Sequence, residues 1–276
     1  MSTFFLNRLT TEPHALAFAG QSTPWPVTLA DQTTDPSLDE DLRGHVAAAN
    51  RLLAPAAADL LATTGRPVDL FGFTPNPARL GAAADATASV EGVALTQLGA
   101  LLDLEHLGYS VAQAKPVAVL GHSQGVLAVH MTRAIEAAGS IEAAGKTLDE
   151  ILAVAALIGA AGTRRVRELG LNPKYGEASP MLSVKGATRE QVEALVKRVN
   201  NARGPISIAV TNSDNHHVLS GYPEDLTALA LEAEREHKHQ AKLREQKLHG
   251  GTVFNPTLEY LEVLSLIHIS EPTRRS

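Results

Sequence analysis

The stretch that most constrains this chain is PVAVLGHSQGVLAVH, residues Pro116 to His130. A short β-favouring run, Pro116 to Leu120, leads into Gly121-His122-Ser123-Gln124-Gly125, and a helix-forming run, VLAVHMTRAIEAAG, follows. The pattern predicts a strand, a sharp turn and a helix with a serine at the apex, the arrangement of a G-x-S-x-G nucleophile elbow. So tight a bend forces the serine into a sparsely allowed backbone region. Glycine is demanded at 121 and 125 because a Cβ atom there would collide across the bend. The Ser123 hydroxyl is then left exposed. The Gln124 amide, opening the helix, can stabilise a developing oxyanion. A purely structural glycine turn is the competing reading, and the strand–turn–helix context favours the nucleophile.

Composition limits the fold around that turn. The 276 residues allow one large domain or two modest ones. The chain is 44% hydrophobic but only 4% aromatic, so its core must be mostly Ala, Leu and Val. That suits helices packed around a parallel sheet. A net charge of −6, with no dense basic stripe, argues against a nucleic-acid partner. The absence of cysteine excludes disulfides, thiolate zinc sites and a cysteine nucleophile. No HExxH-like ligand spacing occurs, and no metal site is expected. The opening MSTFFLNRLTTEPH does not read as a signal peptide, and no apolar run is long enough to span a bilayer. A soluble cytoplasmic protein with no membrane partner is the expectation.

Along the chain, Ala15 to Ala19 reads as a first buried strand, ended by Gly20-Gln21-Ser22. Gln21 lies just past that strand's carboxyl end, where open α/β sheets place their sites. Thr28 to Ser37 reads as a polar loop, Leu38 to Thr64 as helix broken or restarted at Pro55, and Val68 to Pro77 as an extended piece with a loop. Val90 to Leu107 predicts a long amphipathic helix closed by Gly108, with Gln97 at an exposed position. Gly139 to Lys146 reads as a connection, Leu148 to Ala161 as a helix buried on most sides, and Thr163 to Arg167 as a solvated basic turn. From about Pro180 the texture changes to β-α-β-β-α. Its strands are Met181 to Val184, Ile206 to Val210 and His217 to Gly221. Its helices are Arg189 to Asn200 and Pro223 to about Glu245, and Leu258 to Leu264 is available as a last strand. That is a ferredoxin-like unit.

A serine nucleophile needs a general base, normally histidine. Of the 11 histidines, His122 diverges from its neighbour and His130 lies two helical turns beyond the serine. His237 and His239 point to different helix faces, and His216 and His217 follow an Asn-rich loop. His14, His45, His106 and His249 have no supporting context, which leaves His268.

These residues together resemble the acyltransferase domains of fatty acid and polyketide synthases. The likeness rests on Gly121 to Gly125, Ala19-Gly20-Gln21, Thr96-Gln97, Asn212-Ser213 and Val218-Leu219-Ser220-Gly221. The pieces LGHSQGVLAVH, LIGAAGT and GGTVFNP are similar to the N-terminal acetyltransferase domain of the actinobacterial type I fatty acid synthase.

The resemblance implies an α/β-hydrolase-like acyltransferase core, residues 1–179, and an inserted ferredoxin-like small subdomain, residues 180–265. It implies that Ser123 takes an acyl group from a CoA thioester and passes it to the phosphopantetheine of an acyl carrier protein, within a multienzyme synthase. No bound cofactor is expected. The amides of Gln124 and Gln21 would form the oxyanion hole, with Ile158, Gln97 and Asn212 lining the acyl pocket. Malonyl-loading relatives carry an arginine at the position that aligns with Ile158. An apolar residue there fits acetyl-CoA, because a malonyl carboxylate would be left buried and unpaired.

Two features depart from the family. Its G-Q-G loop is here Gly20-Gln21-Ser22. Its Phe-His-Ser/Thr base motif falls near His268, but residues 266–276, LIHISEPTRRS, resemble read-through of a sequencing adapter and are expected to be non-native. A truncated acyltransferase lacking its base follows from that reading. The alternatives are an inactive truncated fragment and an esterase or thioesterase on the related hydrolase fold, the latter opposed by the absence of an HGGG-type loop and of convincing late Asp and His partners.

Overall fold

The computed structural model describes residues 8–20, 25–64, 86–168, 180–199, 204–246 and 253–260. The chain divides into two compact units, Met1–Gly170 and Leu171–Ser276.

In the large unit, strand β1 (Ala15–Phe18) pairs in parallel with β2 (Ala118–Gly121), Phe18 standing opposite Gly121. Parallel pairing needs a crossover. Here the crossover includes α1 (Trp25–Gln32), α2 (Pro36–Leu53), a 3₁₀ turn (Ala54–Ala56), α3 (Ala57–Thr64), α4 (Ala86–His106) and α5 (Val111–Ala114). Beyond β2 come a 3₁₀ turn (Ser123–Gly125), α6 (Val126–Ala138) and α7 (Ile141–Glu168).

Local chemistry sets most of these boundaries. Asp35 caps α2 by accepting from the Ser37 and Leu38 amides, and Pro36 occupies the first turn, where its missing N–H costs nothing. Of the apolar residues that recur near helical spacing, Leu42, Val46, Ala49 and Leu53 are buried together with Leu38, while Leu52 is 47% exposed. Pro55 interrupts the helix as expected, through the 3₁₀ turn. Gly108 follows α4, its amide donating to Glu105 O.

Several expectations are corrected. The segment read as a polar loop from Thr28 overlaps the second half of α1, which Trp25 and Leu29 anchor by their burial. Gly92 makes room for the Trp25 ring: a Cβ there would lie 2.3 Å from it. Helix α4 is not amphipathic in its first half, since Ser89 to Gly99 is buried without interruption. Helices α1, α2, α6 and α7 all pack on it, so between Ser89 and Gly99 no face is left for solvent. The connection read at Gly139 to Lys146 is shorter, because Ser140 Oγ accepts from the Ala143 amide and starts α7. Val154 and Leu157 of α7 are exposed, so that helix is less enclosed than its apolar run implies. Arg164 pairs with Glu168 at 2.9 Å on an exposed face, as a solvated turn should. Val68 to Pro77 lies outside the described residues.

The small unit comprises β3 (Met181–Lys185), α8 (Arg189–Arg198), β4 (Ser207–Ser213), β5 (His216–Ser220), α9 (Pro223–Glu245) and β6 (Thr257–Tyr260). Its four strands lie in the order β4-β5-β3-β6 with every neighbour antiparallel, which is the ferredoxin-like arrangement. Thr188 and Gln191 form a reciprocal capping box at α8. β4 runs on to Ser213, so the Asn-rich loop read before His216 shrinks to a tight turn at Asp214-Asn215. Leu182, Val184, Val192, Leu195, Leu219, Leu226 and Leu229 form this unit's core. Among the described residues, no helix is long and apolar enough to cross a membrane.

Candidate active site

The elbow is built as its sequence demands. His122 is extended, and Ser123 takes φ +53°, a left-handed conformation rare for a side-chain-bearing residue. His122 N donates to Phe18 O at 3.0 Å and Gly125 N donates to His122 O at 2.9 Å, pinning the bend from both sides. A Cβ on Gly121 would lie 2.5 Å from Gly125 O, and one on Gly125 would lie 2.3 Å from Phe18 O. Both glycines are therefore required by close backbone approach. Ser123 is exposed, and α6 runs on directly from the turn.

The end of β1 lies against this turn. A Cβ on buried Gly20 would meet Ser123 Cβ at 3.1 Å and Gln124 N at 3.6 Å. Gln21, the other candidate oxyanion residue, lies outside the described residues. Gln97 is not at an exposed position: it is 6% exposed, and its Nε2 donates to Ala19 O at 2.7 Å. The Gln124 side chain donates to Val90 O on α4. Ile158 is half-buried on α7 and packs against the large unit's core. Asn212 is exposed on β4 of the small unit. His268 lies outside the described residues.

Sequence reasoning missed the partners of the other histidines because most of those partners are remote in the chain. His14 Nε2 bonds Tyr109 OH at 2.5 Å, His45 Nδ1 bonds Asp149 at 2.7 Å and His106 Nε2 bonds Asp41 at 3.0 Å. His216 and His217 are on strand β5 rather than in a loop. His216 Nε2 bonds Ser183 Oγ at 3.1 Å, and buried His217 bonds Thr211 Oγ1 through Nδ1 at 3.1 Å. His237 Nδ1 donates to Phe254 O at 2.9 Å. None of these partners is Ser123. Burial pushes the Tyr109 phenol above its usual value, and the charge of Glu136 adds to the effect. The polar positions Ser89, Thr96 and Gln97 are buried in α4, and their occurrence within an apolar helix was the available signal for them.

Comparison with known proteins agrees with this architecture. Residues 180–260 match the family described as fatty acid synthase central AT domain. The malonyl CoA-acyl carrier protein transacylase of Coxiella burnetii superposes with a TM-score of 0.51 at 15% identity, over 82% of this chain and 59% of that one. FabD of Acinetobacter baumannii gives a TM-score of 0.50 at 17% identity, over 92% of this chain and 64% of that one. The chain thus spans about three-fifths of the length of these solved structures. No curated protein sequence matches it significantly. The chain has the mixed α/β acyltransferase fold, with a fatty acid synthase central AT match over its ferredoxin-like unit.

Proposed function

We propose that this chain carries the acyl-accepting half of a CoA to acyl-carrier-protein transacylase, working inside a fatty acid or polyketide synthase. The observation that carries the reading is the exposed Ser123 at φ +53° on an elbow whose glycines are dictated by contact. The fold shared with solved transacylases supports it. In the first half-reaction Ser123 Oγ attacks the thioester carbonyl. The C–S bond breaks, and CoA leaves as its thiol with the serine proton. In the second, the phosphopantetheine thiol attacks the acyl-serine ester, and Ser123 regains a proton. In this reading the Gln124 amide stabilises the oxyanion, and the amide of Gln21 is proposed as the second donor.

A base must carry the proton between these steps. The family's histidine position falls at His268, inside a segment whose likeness to adapter read-through speaks against a native role. The acyl group favoured by Ile158 is acetyl, with Asn212 as a second pocket residue. An apolar half-buried side chain cannot pair a malonyl carboxylate. The test is transfer to a pantetheinylated carrier protein from acetyl-CoA and from malonyl-CoA in parallel. Acetyl transfer should exceed malonyl transfer by at least about 100-fold. Comparable rates would overturn the acetyl assignment, and release of free acid in place of transfer would point to a hydrolase.

A further inference from the structure

We infer that the side chains of Gln97 and Gln124 form a brace through α4 that fixes the end of β1 against the elbow, making both of them positioning residues for Ser123. This inference rests on the acyl-serine reading above. Val90 and Gln97 are seven residues apart on α4, two turns of helix, and so lie on one face. From that face Gln97 Nε2 donates to Ala19 O at 2.7 Å, holding the end of β1. To that same face the elbow is tied by Gln124 Nε2, which donates to Val90 O. Between the two ties, Gly20 packs on Ser123 Cβ and approaches Gln124 N. Two links in series through one buried helix thus tie the nucleophile and its neighbouring amide to the end of β1, alongside the direct backbone bond from His122 N to Phe18 O.

The choice of residue argues for positioning over packing. The Oε1 atoms of both glutamines are buried without a hydrogen-bond partner. A buried acceptor left unpaired is costly, so Leu or Met would fill either space more favourably if packing were the only demand. What glutamine adds is a donor of fixed reach aimed at a backbone carbonyl. The sequence likeness assigns Gln97 to the acyl pocket. Its amide N–H is already committed to Ala19, which favours the indirect role.

The test uses the full chain and the isosteric variants Gln97→Met, Gln124→Met and the pair combined. Acylation of Ser123 by acetyl-CoA is followed by intact mass over a range of acetyl-CoA concentrations, and hydrogen exchange is followed by mass spectrometry. Each single variant should lower the limiting acylation rate by about 10- to 100-fold, with the half-saturating concentration unchanged within about twofold. The combined variant should be no slower than the slower single one, because links in series fail together. Exchange should quicken in peptides covering residues 15–20 and 119–126 and stay unchanged in α2. Unchanged rates and unchanged exchange would overturn the brace. A raised half-saturating concentration with an unchanged limiting rate would overturn it in favour of direct substrate contact. Failure of the wild-type chain to acylate even with imidazole added as a general base would sink the acyl-serine reading, and the exchange result alone would then decide the brace.

Discussion

Ser123 is held at φ +53°, a conformation that costs a non-glycine residue about 1–2 kcal/mol. The surrounding backbone bonds and glycine contacts hold it there. Ser123→Gly should therefore raise stability by up to about 1 kcal/mol while removing the proposed nucleophile, as thermal unfolding can show. Gly125→Ala should do the opposite. Its Cβ would sit 2.3 Å from Phe18 O, and relieving that clash should cost about 2–4 kcal/mol. Tyr109 gives a pH-dependent test. Its folded pKa is raised by burial, so the unfolded chain ionises first. The stability it contributes is complete below the usual tyrosine value near 10 and is lost as pH rises beyond it. Denaturant unfolding at increasing pH should show that decline flattened in Tyr109→Phe. At this scale Ser123 and its two glycines were legible, because their spacing encodes a backbone geometry. The tie from Gln97 to Ala19 was not, because its partner is a carbonyl 78 residues away.

Among the elements, those with strong local signals appear where the sequence puts them. The buried positions of α2, its stop at Pro55 and the strand pattern of the small unit are all local. Thr188→Ala should cost the small unit about 1 kcal/mol, measured by denaturant unfolding, because it removes the side-chain acceptor of the cap. The elements misread are those fixed by tertiary contact. Helix α1 is short and carries Pro26, and burial of Trp25 against Gly92 accounts for it. Helix α4 has polar residues that suggest a wet face, yet neighbouring helices enclose Ser89 to Gly99 completely. Periodicity records which residues are apolar, and it cannot record how many partners surround a helix.

For the whole molecule, two units with separate hydrophobic clusters predict two unfolding transitions by calorimetry. Leu98→Ala should lower one and Leu195→Ala the other, each by about 2–5 kcal/mol, since both side chains are fully buried. The change of texture near Pro180 lies inside the second unit, which begins at Leu171, and marks where its β-α-β-β-α periodicity starts. The candidate site was legible in part. Ser123, Gln124, Gln97 and Ile158 share the large unit, Asn212 belongs to the small one, and Gln21 and His268 lie outside the described residues.

The central claim is that Ser123 accepts an acyl group from CoA. Intact-mass spectrometry after incubation with acetyl-CoA, with peptide mapping of the adduct, tests it most directly. The account predicts one acetyl group on Ser123 of the wild-type chain and none on Ser123→Ala. An equal adduct on both proteins, or one that maps elsewhere, would contradict it.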